Sequence, residues 1–319
     1  MESIFSKRIL IFLILILLGG ASVINSVNSM NEDKIESNIL KSTTWIVDDD
    51  NIDGPWDGTQ ENPYRYIQDA VNAANSSDII HVYSGNYSKF KVYNKDMLTI
   101  IGKNTDNYRP RVDGDGMTNV IEVDESNYVN ITGFEIFNSG VSANDAGIYY
   151  YNSHYGTILD NIIRNNVFGV YARDSDHMHI SYNICFDNTK SGIYLESNHG
   201  TISHNECYNN TKDGILISKA RNNKIYNNNF IDNKHFGVFV VEETLSISQF
   251  FNKNKIFNNN IMNNEEGYAV QIKSINTWEY NWWGAILKIK IIMRNYQLQY
   301  WCLPPIIDLY PLSEEAPVQ

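Results

Sequence analysis

Cysteine is scarce in this chain. Three in 319 residues exclude a small fold built on disulfides. Positive charge is also in deficit, with 25 Lys and Arg against 37 Asp and Glu and a net charge of −12, so the basic footprint of a nucleic-acid binder is missing. Proline occurs only seven times. The longest apolar run, Ile9 to Leu18, is short of the roughly 20 residues a membrane-spanning helix needs. What the chain has instead is amide and phenol: 43 Asn and 21 Tyr. Asn suits turns and is poor in helix interiors, so the excess calls for an architectural cause.

Residues 1–30 have the order of a secretory signal peptide or N-terminal anchor. Lys7 and Arg8 precede the apolar run, and the small residues Gly19, Gly20, Ala21 and Ser22 follow it, as cleavage by a signal peptidase requires. Extension through Val23 leaves an uncleaved anchor open, the one route by which the chain would touch a membrane. Residues 31–44 are polar and read as a linker. The expected location is secreted or cell surface.

A period governs the rest. Gly147, Gly169, Gly192, Gly214, Gly237 and Gly267 each open a short apolar run, at spacings of 22, 23, 22, 23 and 30. A second ladder keeps the same step: Ile158/Asn161/Asn166, Ile180/Asn183/Asn188, Ile202/Asn205/Asn210, Ile225/Asn228/Asn233 and Ile256/Asn259/Asn264. A unit this short cannot close its own core, so it must stack on its neighbours. One and three residues after the glycine stand Ile148/Tyr150, Val170/Ala172, Ile193/Leu195, Ile215/Ile217, Val238/Val240 and Tyr268/Val270, the alternation of an inward strand face. Stacking in register about 4.8 Å apart also lets buried Asn side chains pair along the axis.

The fold expected is therefore all-β: a single-stranded right-handed parallel β-helix of about nine coils over residues 45–283. The apolar stripe Ile67, Ala70, Val71, Ala74 marks a short helix that caps the N-terminal end. A tail over 284–319, led by tryptophans from Trp278 onward and ending in Pro304, Pro305 and Pro311, is expected to cap the other.

With these residues in view, the chain resembles a known group. The stretch VDDDNIDGPWDGTQENPYRYIQDAVNAANSSDIIHVYSGNY, then LTIIGKN, RVDGDG and the GIY(L/Y)-x-S units with Ile-x-x-Asn, is similar to pectin-lyase-like proteins of prokaryotic cell surfaces, and to the repeat region shared with NosD-like periplasmic proteins. The resemblance implies the β-helix fold. It implies no single activity, because the group includes lyases, hydrolases, epimerases, copper-site accessory proteins and surface proteins.

Candidate sites follow from the stacking. Two residues after each glycine, Tyr149, Tyr171, Tyr194, Leu216 and Phe239 form an outward aromatic stripe suited to successive sugar units; self-stacking of strand aromatics explains the same pattern. Beside it, Arg173, Asp174, His177, Glu196 and His199 are the residues from which a lyase or epimerase would draw a carboxylate neutraliser and a base. Arg173 and Glu196 also share a slot, as an ion pair would. His177 and His199 stand where they can stack, with His154 one residue off. Asp49, Asn51, Asp53 and Asp57 match part of a calcium loop, with Gln60 where the twelfth-position Glu belongs. Cys185 and Cys207 fill an apolar slot and read first as buried thiols.

The function expected is non-covalent recognition of a polysaccharide or glycoprotein of a cell envelope along the Tyr149 to Phe239 face. Three alternatives stand beside it: a polysaccharide lyase or epimerase on the same face, a NosD-like periplasmic metal-site accessory protein, and a purely structural envelope protein. No cofactor is implied beyond calcium.

Overall fold

Each repeat unit folds into three short strands separated by bends, as in Thr157–Leu159, Ile162–Arg164 and Phe168–Arg173. The computed structural model describes residues 42–242, 253–272 and 276–282; those from Thr43 onward belong to one compact unit. The first strands of successive units pair into a parallel ten-stranded sheet, and the second and third strands into sheets of eight strands each. The architecture is a parallel β-helix of about eight turns, close to the nine expected.

Register is kept by identical inward side chains. In the first sheet Ile80, Ile100, Ile131, Ile158, Ile180, Ile202, Ile225 and Ile256 stack in one buried column, which Trp278 ends. Trp278 lies in the strand Thr277–Glu279 and is the last residue of this column among the described residues; the tail over 284–319 lies outside them, as does the insertion over 243–252. The inward pairs after each glycine, from Ile148/Tyr150 to Val238/Val240, are buried as expected. One pairing differs. Gly267 sits beside Phe236 and not Gly237, so Ala269 and Gln271, in place of Tyr268 and Val270, stand opposite Val238 and Val240.

Asparagine has two structural uses. Inside, Asn161, Asn183, Asn205, Asn228, Asn259 and Asn281 form a ladder in which each side-chain oxygen accepts the backbone and side-chain N–H of the Asn one coil before. A second ladder runs from Asn166 to Asn264. Outside, Asn and Asp fill most of the non-glycine left-handed bends, as at Asn138, Asn165, Asp187, Asn209, Asp232 and Asn263, a conformation these residues tolerate better than other L-residues. A third corner is held by a serine ladder that the period reading did not single out: the backbone N–H groups of Ser126, Ser153 and Ser175 donate to the hydroxyls of Ser153, Ser175 and Ser197.

The repeat glycines are required by the next coil. A Cβ on Gly169 would lie 2.4 Å from the carbonyl oxygen of Gly192. At the N-terminal end, α1 (Ile67–Ala73) buries Ile67, Ala70 and Val71. The edge of the first strand, Thr44–Val47, is closed by hydrogen bonds between Ile46 and both Gly58 and Tyr64, and between Asp48 and Tyr64. This blunts an otherwise open template for strand addition.

Candidate functional site

The third sheet carries the candidate face. Alternation along its strands turns the second residue after each glycine outward, and parallel register aligns Tyr149, Tyr171, Tyr194, Leu216 and Phe239 in one column. Lys91 and Glu122 continue it toward the N-terminal end. The neighbouring outward column holds Tyr93, Asp124, Tyr151, Arg173 and Glu196.

The column is not uniformly open, which corrects the expected exposed stripe. Tyr171 is 3% exposed. Its ring stacks on Tyr194 at 4.4 Å and 15°, tilts against Tyr149 at 5.1 Å, and is flanked by Phe168 at 5.4 Å. Ala146, Val167, Phe168 and Tyr171 form a small apolar cluster outside the main core, with Tyr149 and Tyr194 packed against it. Lys190 sits 4.7 Å above the Phe168 ring and donates to the carbonyl of Ala143 at 2.5 Å. The Tyr171 and Tyr194 ring faces therefore serve each other, and the open parts of the face are the flanks of Tyr149, Tyr151 and Tyr194, with the Tyr149 hydroxyl hydrogen-bonded to Arg173.

These hydroxyls are fixed by charge. Tyr171 and Tyr194 each donate to a different oxygen of Glu196, both at 2.6 Å. Burial first, and then the adjacent carboxylate, push both phenols far above their ordinary range. Neither is tuned to act as a base near neutrality. Arg173 lies 5.6 Å from the Tyr151 ring, with Nε 3.5 Å from Asp174 and 3.9 Å from Glu196. Lys91 bridges Glu122 at 2.8 Å and Asp124 at 2.7 Å.

The two histidines belong to a different surface. His177 and His199 occupy left-handed bends at the corner between the third and first sheets. Tyr128, Tyr155, His177 and His199 stack there at 4.8, 4.6 and 4.9 Å with nearly parallel rings. Arg173, Asp174 and Glu196 are thus brought together, while His177 stacks between Tyr155 and His199, and His199 Nε2 meets the Asn222 amide at 3.1 Å. Tyr128 and Tyr155 escaped the sequence reading, although their spacing of 27 from one coil to the next was available. Also missed was Asp213, buried just before a repeat glycine. It accepts from Ser191 Oγ at 3.2 Å and meets His235 Nδ1 at 2.6 Å, while His235 Nε2 faces Glu266 at 3.4 Å.

The calcium loop does not assemble. Asp49 accepts the Asn86 backbone N–H, Asn51 donates its amide to the carbonyls of Pro55 and Pro63, and Asp57 binds Thr59 and Asn62 within its own turn. Asp53 is exposed. Cys185 and Cys207 are register partners in the core and are free thiols.

Known proteins share this coil geometry. A family model described as "Periplasmic copper-binding protein (NosD)" matches residues 71–296, well over half of the chain. The chain belongs to the NosD family. No curated protein matches it in sequence. Among solved structures, pectate lyase Pel9A is similar with a TM-score of 0.55 and 12% identity over 80% of this chain and 73% of that one. The periplasmic alginate epimerase AlgG, in a mutant form, gives 0.53 and 17% over 66% and 52%. The A-module of the Azotobacter vinelandii mannuronan C-5 epimerase AlgE6 gives 0.51 and 14% over 67% of each chain. At these identities the likeness establishes the pectin-lyase-like right-handed β-helix and nothing of activity. The chain spans about half the length of the AlgG chain.

The copper in the NosD family description can be tested against the donors present. All seven histidines lie among the described residues, and no three His, Cys, Asp or Glu side chains there are grouped to hold a metal. His177 and His199 present ring faces to each other, whereas imidazole ligates through in-plane nitrogen lone pairs. His154 Nδ1 accepts the Asp176 N–H at 3.0 Å. The buried His204 Nδ1 lacks a hydrogen-bond partner, but it belongs to no such group. These residues do not fit a copper centre. No helix among the described residues is long and apolar enough to cross a membrane.

Proposed function

We propose that this NosD-family chain is an exported β-helix protein that binds a polysaccharide or glycoprotein of the cell envelope non-covalently along the outer face of the third sheet. The observation that carries this reading is the in-register column of Tyr149, Tyr171 and Tyr194, with the last two fastened by Glu196. Locking the phenols before a ligand arrives lowers the ordering cost of binding. Strand spacing repeats equivalent contacts about every 4.8 Å, which suits a polymer better than a single small molecule. Tyr149, Tyr151, Tyr194 and Phe239 make the contacts; Tyr171 is their packed base. Export is supported by the Lys7 to Ser22 segment and by the periplasmic description of the family.

The competing reading, a lyase or epimerase acting through Arg173, Asp174, Glu196, His177 and His199, needs a base beside the guanidinium. Glu196 already accepts two phenols, and the imidazoles contact another corner. Binding of envelope polysaccharides by the full chain, followed by mass analysis of the recovered glycan, separates the two. Unchanged mass with binding lost in Tyr149→Ala/Tyr151→Ala supports recognition. New unsaturated ends absorbing in the near ultraviolet establish a lyase instead.

A further inference from the structure

The two outward columns of the proposed face hold the cations Lys91 and Arg173 and the carboxylates Glu122, Asp124 and Glu196, and the bend beside them carries Glu125, Asp174 and Lys219. Lys91 is clamped between Glu122 and Asp124 at 2.8 and 2.7 Å, and Asn119 fixes Glu122 from its other oxygen at 3.0 Å. Arg173 rests on Tyr151 between Asp174 and Glu196. A sugar carboxylate that approached Lys91 would have to displace a carboxylate already bonded to it, and one that approached Arg173 would come close to Asp174 and Glu196 as well as to the guanidinium. At the adjoining corner, Lys190 is engaged by Ala143 and Phe168. The chain as a whole carries −12, so a polyanion also meets long-range repulsion. What the face offers freely is neutral: the ring flanks of Tyr93, Tyr149 and Tyr151, with Tyr93 and Tyr151 exposed, while the Tyr93 hydroxyl is hydrogen-bonded to Glu125 and that of Tyr149 to Arg173.

Granted the polysaccharide reading on which it rests, we propose that the ligand is an uncharged polysaccharide and that the carboxylates around Lys91 and Arg173 exclude polyuronates. Ring flanks take the apolar faces of the sugars, and the phenols exchange hydrogen bonds with their hydroxyls. The carboxylates act as the repulsive element that separates one glycan class from another of similar shape. The structural likeness to an alginate epimerase and a pectate lyase would then extend to the fold but not to the charge of the ligand.

The test compares the full chain with length-matched neutral β-glucan and mannan oligomers, and with polygalacturonate and alginate oligomers, by isothermal titration at low and high salt. The expected result is a neutral oligomer binding at least about tenfold more tightly than either polyuronate, a difference of about 1.4 kcal/mol, with little change in salt. Equal or tighter polyuronate binding overturns the charge inference and leaves the polysaccharide reading standing. Failure of every glycan to bind overturns the polysaccharide reading itself, and the inference with it. Glu122→Gln/Asp124→Asn releases Lys91; provided its melting curve shows it folded, polyuronate binding is expected to rise at low salt and fade at high salt. No gain in that folded variant overturns electrostatic exclusion.

Discussion

Asn205 Oδ1 receives both N–H groups that Asn183 directs at it, the backbone amide at 3.0 Å and the side-chain amide at 3.0 Å. The Asn205 amide in turn donates to the carbonyls of Ile180 and Ser203 and to Asn228. Asn205→Ala would strand the buried backbone N–H of Asn183, at about 1–3 kcal/mol, while the Asn183 side-chain amide keeps Ile158 and Ser181; with the bonds of the Asn205 amide lost as well, a loss of about 3 kcal/mol or more is expected in urea unfolding. Asn209→Ala, at an exposed left-handed bend, is expected to cost about 1–2 kcal/mol. Equal losses at the two positions would mean that the amide ladder does not hold adjacent coils.

Gly169 and Gly192 separate backbone from side-chain crowding. A Cβ on Gly169 meets the Gly192 carbonyl oxygen at 2.4 Å, whereas one on Gly192 meets Cys207 Cβ and the Gly214 oxygen at 2.9 Å. Since overpacking costs about 1–3 kcal/mol, Gly169→Ala should lie at or above the top of that range and Gly192→Ala lower within it. Thermal denaturation of the two variants, followed by circular dichroism, checks the order.

The glycine period was sufficient to read inward and outward slots through five coils, because parallel stacking turns sequence spacing directly into contact. It failed at Gly267, where the backbone register moves by one residue. The outward side chains were less legible. Tyr171 is covered by Phe168 from the position before the repeat glycine, and lateral packing between columns leaves no trace in the period of either. Arg173 and Glu196 were placed together by their shared slot. His177 and His199 were read as part of the same neighbourhood because chain proximity conceals the bend at Asp174 and His177 that carries them round the corner.

Glu135 should confer acid sensitivity. Burial alone would raise its carboxyl, but hydrogen bonds and charge from Arg164 at 2.6 Å and Arg111 at 2.9 Å outweigh that and hold it below its ordinary value. A folded-state carboxyl below its unfolded value adds stability that is present above the unfolded value near 4.5 and lost as pH falls through the folded one. The urea midpoint of the wild type should therefore exceed that of Glu135→Gln at neutral pH, and the gap should close on acidification. A gap independent of pH would show that Glu135 acts through packing alone.

Calcium removal should leave stability unchanged. Asp49 and Asp57 are already satisfied by Asn86, Thr59 and Asn62, so the Asp49 to Asp57 segment offers no converging ligand set. A cation that bound the native state there would raise the melting temperature with concentration. Differential scanning calorimetry with excess calcium, and then with a chelator, is expected to give superimposable curves; a dose-dependent rise that Asp49→Asn abolishes would restore the calcium reading.

Cys185 and Cys207 are register partners with no solvent exposure, and burial first, then the neighbouring Cys185 thiol, raise the Cys207 thiol well above its usual range. Neither sulfur meets solvent, and a reagent must reach the thiol to react, so both groups should resist a water-soluble thiol reagent in the native protein. In a Cys302→Ser background, two equivalents of label are expected to enter only as denaturant unfolds the chain, at a rate that follows unfolding measured by fluorescence. Rapid labelling without denaturant would show that the core opens at these coils. Absence of labelling after complete unfolding would show a disulfide, whose formation from parallel, in-register side chains would require the two strands to shift.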